Sequence, residues 1–241
     1  MAAAPAVTIG AVILCGGTSR RMGGGDKTAL ALGEHSVLAH LLLDLPDEWE
    51  VICVGEPRPV PRQVHWTRED PPLAGPVEGL AAGVTALNDL LPKPDVVVAL
   101  AGDQPFAGPA ARACVAALLG PHHNGAHTAD PTPRSQDVTA GQETEQGAKP
   151  TLGDRYTPPG GSMRVVDGVV ARQQDGRPQL LLGAYRRDAL TRAVTAASPG
   201  AGVYATLGAL VVEVLPAAAE HTRDIDTPHD LAAAREITER A

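Results

Sequence analysis

The chain carries a basic, glycine-rich loop directly after its first apolar run. Residues 11–28 read AVILCGGTSRRMGGGDKT, so two glycines end the apolar run and Arg20, Arg21 and Lys27 follow. Glycine lets the backbone approach a ligand closely, and a turn of backbone N–H groups binds anions. Two arginines and a lysine add the positive charge that suits phosphate groups. This arrangement predicts a nucleoside triphosphate site at the end of a strand.

Two better-known phosphate loops do not fit this segment. A Walker A loop has glycine directly before Lys-[Ser/Thr], whereas Asp26 precedes Lys27 here. A dinucleotide-binding fingerprint requires G-x-G-x-x-G after the strand, whereas Gly16 and Gly17 are adjacent and no such pattern follows. The loop therefore indicates a different class of nucleotide site.

The loop closely resembles the signature of the MobA-like nucleotidyltransferases, roughly L-[AC]-G-G-x-[SA]-R-R-M-G-G-x-D-K. The residues that match without a gap are Leu14, Gly16, Gly17, Arg20, Arg21, Met22, Gly23, Gly24, Asp26 and Lys27. Cys15 stands where that family usually has alanine. The resemblance implies that Leu14, Cys15 and Gly16 line the base and ribose pocket. It also implies that the loop, with Gly17 and Lys27, holds the triphosphate.

A carboxylate follows a second apolar run. Residues 95–101 read DVVVALA and are followed by Gly102, Asp103, Gln104 and Pro105. In open α/β sheets ligands bind beyond the carboxyl ends of the strands, so Asp103 is expected at the same edge as the glycine loop. A triphosphate binds with Mg²⁺, which takes one or two carboxylates. A turn-forming aspartate before proline is the alternative, but G-D-x-P resembles the family's metal-binding segment and favours a ligand role.

Two further segments give weaker signals. Residues 68–76, REDPPLAGP, resemble a family segment in which an aspartate contacts the nucleotide and a glycine turn closes over the base; Asp70 and Gly75 match it with shortened spacing. Residues 224–228, DIDTP, resemble a segment that opens the family's last helix, where Asp226 would reach the metal or the acceptor. An ordinary helix N-cap is an equal alternative for Asp226. Guanylyltransferases of this type often have an asparagine just after the second strand, which contacts the base. Val54 and Gly55 occupy that place in this chain.

Alternating strands and helices predict a mostly parallel sheet with helices on both faces. The resemblance implies one three-layer α/β/α, Rossmann-like nucleotidyltransferase domain over residues 1–241. A stretch at about 121–161 is rich in proline, glycine and polar residues and predicts a flexible insertion. The predicted strands are 8–15, 50–55, 64–67, 95–101, 179–185 and 209–215. The predicted helices are 28–45, 77–91, 109–119, 187–197 and 226–240, and the first of them is entered through a short turn near Gly33.

Charge and composition exclude several classes of function. The net charge of −8 argues against a nucleic-acid or membrane surface. No basic, signal-like start and no membrane-length apolar run is evident in the sequence. The three cysteines are odd in number and widely spaced, which suits reduced, buried thiols in the cytoplasm.

The resemblance implies a Mg²⁺-dependent guanylyltransferase of molybdenum cofactor biosynthesis. GMP would pass from GTP to the terminal phosphate of Mo-molybdopterin and pyrophosphate would leave. Arg20, Arg21, Lys27 and Asp103 would be catalytic, and Asp103 and Asp226 would bind the metal. The implied partners are GTP and a phosphorylated pterin, with possible transient contacts to molybdoenzymes or other proteins of the cofactor pathway.

Other functions stay open on the sequence. In the family, L-x-G-G tends to accompany guanine, whereas D-I-D-T-P is also usual in cytidylyltransferases. Cytidylyl transfer to the same pterin, or guanylyl transfer to another small phosphate such as phospholactate, is therefore an alternative. A non-catalytic nucleotide-binding protein is a more remote one.

Overall fold

The apolar runs of the sequence become the buried strands of one central sheet. The computed structural model describes residues 6–16, 25–120, 166–173 and 175–240. The strands described are β1 (Ile9–Leu14), β2 (Ala31–Leu32), β3 (His35–Ser36), β4 (Glu50–Val54), β5 (His65–Thr67), β6 (Val96–Ala101), β7 (Gly168–Arg172), β8 (Pro178–Arg186) and β9 (Val212–Pro216). The α-helices described are α1 (Val37–Asp44), α2 (Pro76–Asn88), α3 (Gly108–Leu118), α4 (Arg187–Thr195), α5 (Val203–Leu207) and α6 (Pro228–Arg240).

The main sheet has seven strands in the order β5-β4-β1-β6-β8-β7-β9. Strands β5, β4, β1 and β6 pair in parallel, as do β7 and β9, while β8 is antiparallel to both of its neighbours. The predicted mostly parallel sheet is confirmed. Strands from both sides of the predicted insertion share this sheet, but the assignment of the whole chain to a single domain stays a prediction.

Two apolar cores cover the two faces of the sheet. One core packs α1 and α3 against the sheet, and the other packs α2, α4 and α5 against the opposite face. Successive residues of a strand point to opposite faces, so Ile13 belongs to the first core and Val12 to the second. This arrangement confirms the three-layer α/β/α architecture.

The helix predicted over residues 28–45 is entered through a turn at Gly33, as expected, but it begins later than predicted and a hairpin precedes it. A short 3-10 turn, Lys27–Ala29, is followed by the β2–β3 hairpin, and α1 begins only at Val37. Gly33 has a φ of 62° in the hairpin turn, and Ser36 is the N-cap of α1, where its Oγ accepts a hydrogen bond from the Ala39 amide at 3.2 Å. Serine favours this cap position over a helix interior, which moves the start of the helix.

The other element boundaries differ by a few residues. The last strand begins at Val212 rather than at residue 209, and α2 ends at Asn88 rather than at residue 91. The sequence did not predict α5 or the antiparallel direction of β8. None of the helices in the described part of the chain is both long and apolar enough to cross a membrane. The predicted insertion at 121–161 lies outside the described residues.

Candidate functional site

The carboxyl ends of three neighbouring strands lie side by side. In the register of the sheet, Leu14 of β1 pairs with Val54 of β4 and with Ala101 of β6. The backbone stays close beyond the strands, because the Gly102 amide donates to the Leu14 carbonyl at 2.9 Å. A β-carbon on Gly102 would lie 2.9 Å from that carbonyl oxygen. The residues after β1, β4 and β6 therefore emerge together at one edge of the sheet, as parallel strands require.

Lys27 joins two carboxylates at this edge. Its Nζ lies 3.7 Å from Asp103 Oδ2 and donates a hydrogen bond to Asp226 Oδ1. The Ile225 amide donates to the Asp103 carbonyl at 3.0 Å, which fixes the segment before α6 beside the end of β6. The structure thus brings together three of the residues that the sequence assigned to one site.

Burial and like charge act on this group of residues. Burial, followed in effect by the charges of Asp224 and Asp226, raises the pKa of Asp103 above its ordinary value, although Lys27 opposes the shift. Burial likewise raises the pKa of Asp224, which sequence reasoning did not assign to the site. For Lys27, burial opposes the charge, but the hydrogen bond to Asp226 and the charge of Asp103 outweigh it and raise the pKa. The ammonium group of Lys27 therefore offsets the negative charge of its neighbours Asp103, Asp224 and Asp226.

The 3-10 turn that carries Lys27 is held by Arg58. Asp26 caps the turn, since its Oδ1 accepts from the Thr28 amide at 2.9 Å and from the Thr28 hydroxyl at 2.6 Å. Arg58 pairs with Asp26, donates to Thr28 Oγ1 at 2.9 Å and lies over the Trp66 ring. No sequence motif pointed to Arg58, because it lies in a proline-rich connection after β4.

A cleft of about 220 Å³ opens at the same edge, between the ends of β1 and β4 and the start of α2. Its lining residues are Leu14, Gly16, Val54, Glu69, Leu73, Gly75, Pro76 and Gly79. Leu14, Gly16 and Gly75, which the sequence assigned to nucleotide binding, are therefore in one cleft. Cys15 is buried in the core on the opposite face of the sheet.

Four further residues were predicted for the site, Gly17 and Asp70 for nucleotide binding and Arg20 and Arg21 for catalysis. Asp70 is exposed, and its neighbour Glu69 is the residue that lines the cleft. Gly17, Arg20 and Arg21 lie outside the described residues. The roles assigned to these four predicted residues stay predictions.

The loop between β5 and α2 has an unusual backbone. Gly75, the N-cap of α2, has a φ of 141°, and Leu73 has a φ of 64°, which is uncommon for a residue with a side chain. Glu69 Oε1 accepts from the Leu73 amide at 2.8 Å and holds the loop in this form. The φ of Gly75 is one that residues with a side chain rarely adopt, so this position favours glycine.

The segment before α6 has its own cap, which leaves Asp226 available. Thr227 Oγ1 accepts from the Asp230 amide at 3.2 Å, and Asp230 Oδ2 accepts from the Thr227 amide at 2.8 Å. This reciprocal pair is a capping box. Because Thr227 is the N-cap, the carboxylate of Asp226 points to Lys27 instead of closing the helix.

The carboxylates at this edge suit a hard cation together with a phosphate. Within the described ranges, no three histidine, cysteine or acidic residues are grouped so as to hold a metal ion by themselves. Mg²⁺ usually takes only one or two carboxylates and completes its shell with water and substrate phosphates. Asp103 and Asp226, which share Lys27, fit that donor set.

Comparison with known proteins assigns the family. The family model described as the MobA-like NTP transferase domain matches residues 11–214. The chain belongs to this family. The match includes β1 from residue 11 onward, the 3-10 turn with Lys27, the cleft and Asp103, whereas Asp226 lies beyond its end.

Curated relatives carry a more specific description. A molybdenum cofactor guanylyltransferase from Mesorhizobium japonicum is 38% identical over 103 residues, which are 41% of this chain and 49% of the relative. One from Haemophilus influenzae is 33% identical over 108 residues, covering 42% of this chain and 52% of the relative. The MobA-like chain thus spans about half the length of the curated relatives it matches.

Solved structures share the fold. A nucleotidyl transferase from Methanothermobacter thermautotroptrophicus has a TM-score of 0.61 at 16% identity, covering 97% of this chain and 98% of its own. The molybdopterin-guanine dinucleotide biosynthesis protein A from Archaeoglobus fulgidus has a TM-score of 0.58 at 17% identity, covering 96% and 99%. At these identities the likeness concerns the fold of the MobA-like domain alone.

Proposed function

We propose that this MobA-like chain is a Mg²⁺-dependent guanylyltransferase, which transfers GMP from GTP to the terminal phosphate of Mo-molybdopterin. The family membership supports nucleotidyl transfer, and the relatives described as molybdenum cofactor guanylyltransferases support this choice of base and acceptor. Cytoplasmic location and transient contacts with molybdoenzymes stay predictions.

One observation carries the proposal. Lys27 contacts Asp103 and Asp226 at the sheet edge where the cleft opens, and Leu14 connects the two features. Its side chain lines the cleft, while its carbonyl accepts from the residue before Asp103. If the base of a nucleotide lies in the cleft, its phosphates are therefore close to the cationic and acidic side chains at the same strand ends.

The reaction needs no protein nucleophile. An oxygen of the acceptor phosphate forms a bond to the α-phosphorus of GTP, and the bond from that phosphorus to the bridging oxygen breaks, so pyrophosphate leaves. Catalysis then consists of positioning and of neutralising negative charge. Lys27, with Arg20 and Arg21, would hold the triphosphate and stabilise the leaving pyrophosphate.

Asp103 and Asp226 are the residues that would hold Mg²⁺. When bound, Mg²⁺ neutralises phosphate charge and orients the triphosphate. Lys27 compensates both carboxylates in this structure. With a cation on the carboxylates, the ammonium group of Lys27 would be available to pair with phosphate oxygens.

An exchange assay tests both the chemistry and the base. The purified chain is incubated with labelled pyrophosphate, Mg²⁺, the acceptor and each of the four triphosphates in turn, and label entering the triphosphate is measured. We expect exchange with GTP that disappears when EDTA removes the metal. Exchange with CTP instead would identify a cytidylyltransferase. Exchange with GTP only when phospholactate replaces the pterin would identify a guanylyltransferase with another acceptor, and binding of GTP without exchange with either acceptor would identify a non-catalytic nucleotide-binding protein.

A further inference from the structure

The lining of the cleft contains a single ionisable side chain among the residues that the structure describes. Seven of the eight lining residues are glycine, proline, leucine or valine, and the eighth is Glu69. Val54 and Gly55, at the carboxyl end of β4, offer no polar side chain to a ligand. A polar group that distinguishes one base from another must therefore come from elsewhere on this lining or from the backbone.

Glu69 is held in place with one oxygen and has the other available. Its Oε1 accepts from the Leu73 amide at 2.8 Å, which fixes the carboxylate within its own loop. Its Oε2 faces α2, because a β-carbon on Gly79 would lie 4.0 Å from it. No hydrogen bond to Oε2 and no ion pair of Glu69 is found in the described part of the chain. A carboxylate accepts about four hydrogen bonds, so most of its capacity is unused.

The chemistry of a carboxylate selects among bases. The Watson–Crick edge of guanine presents two neighbouring donors, N1–H and the 2-amino group, which the two oxygens of one carboxylate can accept together. Cytosine and adenine each present a ring nitrogen with a lone pair at the middle of that edge, which a carboxylate repels. Hydrogen bonds to a charged acceptor are also stronger than neutral ones.

We propose that Glu69 reads the Watson–Crick edge of guanine and so determines the base specificity of this site. The inference rests on the proposed function, since it concerns the nucleotide that the cleft would take. The left-handed backbone of Leu73, with φ 64° and a side chain 58% exposed at the rim, fits such a role. Strained residues of this kind cluster at ligand clamps, and the hydrogen bond that the Leu73 amide donates to Glu69 holds this one.

The test is the variant Glu69→Gln, which keeps the shape and the acceptor for the Leu73 amide but removes the charge and one acceptor. Binding of GTP, ITP, XTP and CTP with Mg²⁺ is measured by calorimetry. We expect GTP to bind about tenfold more weakly, because a hydrogen bond to a charged group contributes about 1.5–3 kcal/mol. ITP, which lacks the 2-amino group, should lose less, so the preference for GTP over ITP should shrink.

The affinity for XTP should increase in the Glu69→Gln variant. Xanthine has a carbonyl where guanine has the 2-amino group, and the side-chain amide introduced by Glu69→Gln could donate a hydrogen bond to it. This variant should therefore bind XTP better than the unchanged chain does. Glu48→Gln is the matched control, since Glu48 is exposed and precedes the opposite end of β4. It makes the same chemical change away from the cleft and should leave all four affinities unaltered.

The outcomes separate this inference from the proposed function. If the unchanged chain prefers GTP, but Glu69→Gln leaves the GTP-to-ITP ratio and XTP binding as they were, Glu69 does not read the base while the proposed function stands. If the unchanged chain does not bind GTP, the proposed function is wrong and the inference goes with it. Equal thermal unfolding temperatures of the Glu69→Gln and Glu48→Gln variants exclude a folding defect as the cause of lost affinity.

Discussion

The carboxyl side chain of Asp103 lies in surroundings that disfavour its ionised form. Burial, together with the charges of Asp224 and Asp226, raises the pKa, and only Lys27 acts against the shift among the neighbouring side chains that the structure describes. When the pKa of an acid is raised by folding, the group's contribution to stability is greatest at low pH and declines as the pH rises through the raised pKa. At neutral pH the charge therefore costs stability, and residues of this kind are typical of functional sites.

We predict that Asp103→Asn abolishes activity without weakening the fold. Pyrophosphate exchange with GTP should fall by about a hundredfold or more, as with the loss of other groups that stabilise charge in the transition state. The unfolding temperature should stay the same or rise, because the amide removes a buried charge that folding disfavours. Asp47→Asn, at an exposed position, is the matched control. Near-normal exchange in Asp103→Asn would exclude Asp103 as a metal ligand.

Arg58 links β5 to the 3-10 turn that carries Lys27. It pairs with Asp26, donates to Thr28 and lies with its guanidinium 5.7 Å from the centre of the Trp66 ring. We predict that Arg58→Gln loosens this turn and weakens GTP binding by about tenfold, since misplaced binding groups lose their contribution. Arg58→Lys should weaken GTP binding almost as much as Arg58→Gln, because lysine lacks the planar fork that serves two acceptors.

Amide hydrogen exchange separates this positioning role from a global loss of stability. In Arg58→Gln, protection should fall at the amides of residues 28–30 and persist in β1 and β6. Arg240→Gln removes an arginine from an exposed pair with Glu236 and serves as the control. Unchanged protection of residues 28–30 in Arg58→Gln would contradict the role assigned to Arg58.

Helix α2 lies close to the sheet because it has glycine where it faces β1 and β4. A β-carbon on Gly83 would collide with Val12 Cγ1 and lie 2.9 Å from Val54 Cγ2, both in the core. Alanine normally favours a helix over glycine by about 1 kcal/mol, but overpacking a core costs about 1–3 kcal/mol. The two effects together give a net loss of about 0–2 kcal/mol, and because the collision with Val12 is severe we predict that Gly83→Ala lowers the free energy of unfolding by about 2 kcal/mol. Gly79→Ala is the matched control in the same helix, because a β-carbon there would lie 3.4 Å or more from its neighbours; it should leave the free energy of unfolding unchanged or raise it, and denaturant titration measures both variants.

The sequence predicted the parts of the site that depend on local chemistry and missed those that depend on distant contacts. Apolar runs ending in glycine predicted β1 and β6, and the strand-edge rule predicted that Lys27 and Asp103 lie at one edge. Arg58 and Glu69 were missed because their partners and the cleft form only when separate loops fold against each other. The start of the 28–45 helix was wrong because its leucines fit a helical pattern, whereas Leu32 packs with Ile225 and Leu231 in a small third core.

The order of the strands in the sheet explains how segments that are remote in sequence share one edge. Strand β1 lies between β4 and β6, so the segments after these three strands emerge as neighbours. The segment before α6 reaches the same edge through the bond from the Ile225 amide to the Asp103 carbonyl. The site therefore depends on the integrity of the sheet and its two cores, which contain all three cysteines of the chain.

These thiols report on that integrity. Cys15, Cys53 and Cys114 are all buried, and burial raises the pKa of Cys114 to about 12. A hydrogen bond with Cys53, together with burial, also raises the pKa of Cys15. At pH 8 a thiol with a pKa of about 12, such as that of Cys114, is ionised in only about one of ten thousand molecules. An unfolded cysteine is ionised in about a quarter of the molecules at the same pH.

We predict that iodoacetamide alkylates Cys114 of the native chain at least about a thousandfold more slowly than that of the urea-unfolded chain at pH 8, as measured by mass spectrometry. Because Cys114 has no exposed surface, the reagent reaches its thiol only when the core opens. Native labelling should therefore rise with the ionisation of an opened thiol and level off above about pH 9. A rise of about tenfold per pH unit up to about pH 10 would instead show that the thiol reacts within the closed core. Fast labelling at pH 8 in a chain that still binds GTP would show that the first core opens without disturbing the site.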